Sequence, residues 1–205
     1  MNDRILTLAR EHAPCYLYEY DVMQRQVETL RQTFPRYDLL YSIKANPFPP
    51  VVRALARLGL GADAASAPEV LLSRKCGMDR EDIFFSAAGK SDAALEAAWD
   101  EGEIIADSLG EVARIGALCE KKGQHRAIGV RINPAFGMGG AAGGSSKFGI
   151  NEEDLPRLKA LLDTLPVTVE GIHVHLKSQN LDADVLGGCY RDSWALAKRV
   201  RDALG

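Results

Sequence analysis

The stretch Leu39-Leu40-Tyr41-Ser42-Ile43-Lys44-Ala45-Asn46-Pro47 decides the fold: an apolar run delivers a lysine, and Asn-Pro with two further prolines then stops it. Alternation puts Leu40, Ser42 and Lys44 on one face of a strand and Leu39, Tyr41 and Ile43 on the other. A lysine at the carboxyl end of a mostly apolar strand either carries its amine out to water along its methylene stem or has that amine put to use. Which of the two holds depends on the residues that share its end of the sheet.

Outward from this strand a unit repeats: a short apolar strand, a small-residue turn, an amphipathic helix. The pattern predicts strands at 39–44, 60–65, 83–87, 103–107, 127–133 and 169–176, with helices near 50–58, 67–77, 91–101, 109–122, 152–164 and 188–203. Two helices open on capping boxes, Ser66-Ala-Pro-Glu69 and Ser108-Leu-Gly-Glu111. Upstream, residues 3–11 read as a short helix, Cys15 to Tyr20 as a strand, and Asp21 as the cap of a helix reaching about Thr33. The chain therefore divides into an amino-terminal strand and helix segment, 1–34, and an α/β unit, 35–205.

Strand–helix alternation at this spacing demands a parallel sheet with right-handed crossovers. An open doubly wound sheet buries both faces of its strands and reads as continuous apolar runs. Here Ile128, Val130 and Ile132 oppose Gly129, Arg131 and Asn133, while Ile172, Val174 and Leu176 oppose His173 and His175. One apolar face under helices and one small or polar face is the pattern of a TIM-type (β/α) barrel. The strand ends carry Lys44, Asp63 and Ser66, Ser86, Asp107 and Ser108, Arg131 and Asn133, then His173, His175 and Ser178. Singly each has a structural explanation as a cap, a turn former or a core histidine. Ionisable groups at the end of most strands point instead to a reactive rim. The segment Gly137-Met-Gly-Gly-Ala-Ala-Gly-Gly-Ser-Ser146 matches no phosphate-binding fingerprint and reads as a linker or as a mobile cover for the barrel mouth, the latter preferred.

Composition excludes several classes. With 46% hydrophobic and 26% charged residues, the 205-residue chain reads as a soluble globular domain. Twenty-five basic against 28 acidic side chains, without a basic block, gives no support to nucleic-acid or membrane-surface binding. Charges run through the first thirty residues, so no signal peptide or span is expected. Cys15, Cys76, Cys119 and Cys189 have no metal or redox spacing and read as reduced cysteines of a cytoplasmic protein.

These motifs resemble the barrel-type (fold type III) pyridoxal-phosphate-dependent amino-acid decarboxylases, the group that acts on diaminopimelate, ornithine, arginine and carboxynorspermidine. Tyr-Ser-Ile-Lys44-Ala-Asn-Pro is similar to their lysine motif, and Gly61-Ala-Asp63-Ala-Ala-Ser66-Ala-Pro-Glu69 to their second-strand segment. Arg131-Ile-Asn-Pro and Ser146-Lys-Phe-Gly-Ile150 resemble the pair flanking their fifth-strand loop, and Gly171-Ile-His-Val-His175-Leu-Lys-Ser178-Gln179 their His-x-Gly-Ser-Gln segment. The resemblance implies that pyridoxal 5'-phosphate is held covalently by Lys44, stacked against His175 and bonded through its phosphate to Ser178, with Asp63 and Arg131 orienting the polar groups around the ring. Lys44 and His175 are then the catalytic pair, Glu69 is structural, and an amino acid is the substrate.

Lys177 departs from the pattern, standing where the family has glycine. Six strands rather than eight are also read, and the family's glycine-rich phosphate loop, its acidic partner for the pyridine nitrogen and its carboxyl-terminal β-domain are absent from the sequence. The expectation is thus the amino-terminal part of a decarboxylase that is a homodimer at full length. A non-catalytic pyridoxal-phosphate-binding barrel and an inactive fragment that serves as an interaction partner are the alternatives.

Overall fold

The structure, a computed structural model, describes residues 3–144 and 146–205. After α1 (Asp3–His12) and α2 (Tyr20–Thr33), strands and helices alternate: β1 (Leu40–Ser42), α3 (Pro49–Arg57), β2 (Gly61–Ala64), α4 (Ala67–Lys75), β3 (Ile83–Phe85), α5 (Asp92–Ala98), β4 (Glu103–Ala106), α6 (Leu109–Lys122) and β5 (Arg126–Asn133). A two-residue β6 (Ile150–Asn151) is followed by α7 (Leu155–Leu162), β7 (Val167–His173) and α8 (Ala183–Leu204). Every strand pairing is parallel, in the order β1-β2-β3-β4-β5, with β7 alongside β5 and β6 meeting the end of β5. The six predicted strands are present, and β6 is an addition too short for periodicity to reveal.

The faces divide as the alternation demands. Ile128, Val130 and Ile132 join Ile104, Ala106, Val112, Ile115 and Leu158 in an apolar layer between sheet and helices. Ile172 and Val174 pack against this layer, whereas Gly129 and Arg131 point to the concave side. A second layer, built on Ala62, Ala64, Val70, Ile83 and Phe85, continues it under β2 and β3. A bulge between Ile128 and Gly129 takes up one extra residue of β7, pairing Gly129 with Gly171.

Local chemistry sets the helix starts. Ser66 Oγ accepts from Glu69 N, and Glu69 Oε2 accepts from Ala65 N at 2.7 Å. The second box repeats this: Ser108 Oγ accepts from Glu111 N, and Glu111 Oε2 accepts from Asp107 N at 3.3 Å. Helix α8 begins at Ala183 rather than 188, because Asp182 Oδ1 caps Asp184 N and Val185 N and so carries Gly187-Gly188 inside the helix. Among the described residues no helix is long and apolar enough to cross a membrane.

Three expectations are corrected. Residues 15–19 form no strand: Tyr16, Leu17 and Tyr18 are exposed, and no strand among the described residues lies beside them to complete a ladder. Strand β1 stops at Ser42, so Lys44 sits in a 3-10 turn, Ile43–Ala45, closed by a hydrogen bond from Asn46 N to Ile43 O. The strand alternation therefore does not extend to the lysine. The glycine-rich segment is not an unstructured linker over residues 137–144. It folds back as a hairpin, with Gly137 N on Ala141 O at 2.7 Å and Gly143 N on Ala135 O at 2.8 Å, and rests its tip, Met138–Gly140, against α8.

At the floor of the sheet Arg126 is buried. Its guanidinium donates to Trp99 O (2.6 Å) and Gly102 O (2.8 Å) and lies 4.4 Å over the Trp99 ring. Replacing it with Met leaves two buried carbonyls without donors. Arg126→Met should therefore destabilise the domain by about 3 kcal/mol in urea unfolding, without moving groups at the rim.

Candidate functional site

Concave-side residues of β1 to β5 and β7 line a cavity of about 510 Å³. Its walls are apolar at Leu40, Phe84 and Ile105, and polar at Asp63, Ser86, Glu103, Glu170 and His173. Asp63 is the centre of the β1–β3 side. Its Oδ2 accepts from Ser42 Oγ at 2.9 Å and its Oδ1 from Ser86 Oγ, so one carboxylate ties three adjacent strands. The register makes this possible, since Ser42 lies directly opposite Asp63.

Arg131 is the centre of the β4–β5 side. Its Nη1 lies 3.2 Å from Asp107 Oδ1, and both side chains are largely buried. The same guanidinium lies 4.9 Å over the Phe148 ring, just beyond the glycine-rich hairpin. Gly149 allows this return of the chain: its φ is +80°, and a Cβ there would stand 3.0 Å from Asn133 N. Asn133 Nδ2 donates to Gly144 O and Asn151 Oδ1, closing the loop onto the end of β5.

His173 joins the two sides. It pairs in register with Arg131, it lines the cavity, and its Nδ1 is buried without a hydrogen-bond partner. Burial pushes its pKa below the ordinary 6.5, and the Arg131 guanidinium and His175 push the same way, against Asp63 and Asp107. The charges of both sides of the rim thus act on His173.

The remaining predicted residues stand at the mouth. Lys44 is exposed just beyond β1, and Nζ has no hydrogen bond or ion pair among the described residues. His175 and Ser178 are exposed on the segment after β7, not in the strand, which ends at His173. In this segment Gln179 has φ +58°, the one positive-φ residue other than glycine among those described, a strained backbone next to Ser178. Lys177 is exposed. No contact joins Lys44 to His175 or Ser178 directly.

Sequence reasoning placed His173 at the rim but gave it no role. Its signal was the alternation that puts His173 and His175 on one face; the strand ends at His173, so His173 is held in the cavity wall while His175 stands exposed beyond it. Lys90 was missed. It precedes the cap of α5 in a loop, where no periodicity exists to reveal that it is 3% exposed.

The depressed pKa of His173 has a thermodynamic consequence. The unfolded chain binds the proton more readily than the folded one, so this stability is present above about pH 6.5 and is lost as the pH falls below it. His173→Gln should therefore lose less melting temperature than the parent protein when the pH is lowered from about 7 to about 5. Equal losses would show that His173 carries no such load.

The family model described as "Pyridoxal-dependent decarboxylase, pyridoxal binding domain" matches residues 20–205. An L-glutamyl-[acyl-carrier protein] decarboxylase of Niallia circulans is 35% identical over 96% of this chain and 48% of its own length. The diaminopimelate decarboxylase of Aquifex aeolicus is 30% identical over 82% of this chain and 42% of its own. Among solved structures, diaminopimelate decarboxylase from Helicobacter pylori complexed with L-lysine superposes with a TM-score of 0.83 at 26% identity, covering 98% of this chain and 53% of that one. The chain spans about half the length of the curated relatives it matches. With a parallel barrel wall, a polar rim and this match along nearly all of its length, the chain belongs to the pyridoxal-dependent decarboxylases and carries their pyridoxal binding domain.

Proposed function

We propose that this chain supplies the cofactor-binding barrel wall of an enzyme that removes the α-carboxylate of an amino acid as carbon dioxide. The observation that carries the reading is the rim itself. A partnerless primary amine just beyond β1, the Asp63, Arg131 and His173 side chains at the strand ends, and a second imidazole and a hydroxyl just beyond β7 all lie at the carboxyl ends of parallel strands. These groups fit pyridoxal phosphate. Lys44 would meet its aldehyde, His175 would offer a flat ring to its face and Ser178, beside the positive-φ residue Gln179, would donate to its phosphate. Arg131 and Asp63 hold the polar edge. When bound, pyridoxal phosphate supplies the electron sink that makes loss of the carboxylate feasible.

The residues of the chain have the remaining work. Lys44 Nζ would be the group that holds the cofactor, its exposed amine being open to the aldehyde. As an ammonium, the same group would be able to supply a proton at the rim. The apolar walls at Leu40, Phe84 and Ile105 limit water beneath the rim. Asp63 is held by two hydroxyls, so its carboxylate keeps one orientation throughout.

For the substrate, the identity to diaminopimelate decarboxylases supports a free diamino acid. The 35% identity over 96% of the chain supports a second reading, a glutamyl group delivered on a carrier protein. The same proposal makes the longer protein a homodimer, consistent with the exposure of Leu181 and Trp194, and places it in the cytoplasm, consistent with four free cysteines.

Borohydride reduction of the protein loaded with pyridoxal phosphate should fix the label on Lys44. In Lys44→Ala the bound chromophore should vanish, and its persistence would contradict the assignment. Ser178→Ala should weaken cofactor binding about tenfold. Labelled carbon dioxide release from diaminopimelate and from glutamyl-carrier protein should select one substrate class. Release from neither, across a panel of free and carrier-bound amino acids, would overturn the decarboxylase reading.

A further inference from the structure

Lys90 is the most deeply buried cation among the described residues that the proposed chemistry leaves unused: its side chain is 0% exposed, and that of its partner Glu111 is 1%. Its Nζ lies 2.7 Å from Glu111 Oε1, and donates to Ala87 O at 2.5 Å and Ile105 O at 2.6 Å. Two backbone carbonyls thus take hydrogen bonds from the ammonium and the Glu111 carboxylate meets its charge, with the Phe85 ring 5.1 Å away. Burial lowers its pKa, and the Glu111 carboxylate pulls it back up. A buried ion pair is weak evidence of added stability, because desolvation offsets most of the attraction. What stands out is where its bonds lead.

On one side Lys90 holds the carbonyl of Ala87, the residue after Ser86, whose hydroxyl binds Asp63. On the other, Glu111 Oε2 accepts from the backbone N–H of Asp107, whose carboxylate pairs with Arg131. The ends of β3 and β4 are therefore fixed relative to each other by one ammonium group and one carboxylate. The equivalent capping box of α4, Ser66 with Glu69, makes the same backward bond to Ala65 N and has no lysine on it. The lysine is thus extra to what capping requires.

We infer that Lys90 and Glu111 are positioning residues of the cofactor site, acting through Asp107 to set the Arg131 guanidinium and through Ala87 to set the Ser86–Asp63 pair. This inference rests on the proposed pyridoxal phosphate site and adds two residues, neither of which touches the cofactor. They hold the two charged sides of the rim at one spacing.

The test is a double-mutant cycle on cofactor affinity, read from the absorbance of bound pyridoxal phosphate in the full chain well below the melting temperature. Glu111→Met should weaken binding about tenfold, whereas Glu111→Gln, whose amide oxygen still accepts from Asp107 N, should lose less than about threefold. In an Arg131→Met background the same Glu111→Met change should cost less than about twofold, because the group it positions is gone. Should Glu111→Met fail to fold, Lys90→Arg takes its place in the cycle. The wider guanidinium displaces the two carbonyls, and the loss of about threefold should again disappear with Arg131→Met. Losses that multiply unchanged in the Arg131→Met background, or a fall in melting temperature with affinity intact, would overturn the inference and leave the cofactor site standing. A parent protein that forms no chromophore would instead overturn the cofactor site, and this inference with it.

Discussion

Parallel strands oblige every carboxyl end to open on the same side of the sheet, and the rest of this molecule follows from that constraint. Six strands in one direction put Ser42, Asp63, Ser86, Asp107, Arg131 and His173 at neighbouring levels. So many polar groups on a concave surface would be costly unless they satisfied one another. They do so in two sets. Asp63 takes the hydroxyls of Ser42 and Ser86, and Asp107 takes Arg131. His173 lies between them, kept toward its neutral form by burial and by the neighbouring guanidinium.

Helices supply the other half of the arrangement. Each returns the chain to the start of the next strand while burying one apolar face, so the floor can be closed without polar cost. Arg126 exemplifies this: its charge is spent on two backbone carbonyls and the face of Trp99, far from any chemistry. Lys90 is its counterpart near the rim, with the same economy of bonds and a different consequence, because its partners lead to charged site residues. Two buried cations of similar surroundings thus divide into a floor staple and a rim brace according to what they touch.

Much of this was legible in the residues. The switch between an apolar and a small or polar face in 127–133 gave the barrel wall, and the strand-end residues gave Asp63 and Arg131 their places. Three features escaped for physical reasons. A 3-10 turn at Ile43–Ala45 ends the strand two residues early, so alternation could not orient the amine. Tyr16 to Tyr18 have strand-like composition, but composition cannot create a partner strand. The hairpin at 137–144 looks flexible from its glycines, yet Met138 gives it an apolar anchor on α8. Burial of a loop lysine such as Lys90 is a tertiary property, and no local pattern encodes it.

The central claim is that the amine beyond β1 and the imidazole beyond β7 face a common ligand across this rim. A crystal structure of the protein reduced in the presence of pyridoxal phosphate tests it most directly. The account predicts a ring bonded to Lys44 Nζ, flanked by His175, with its phosphate at Ser178 and its polar edge toward Arg131. A ring attached to another lysine, or one turned away from the β7 segment, would contradict it.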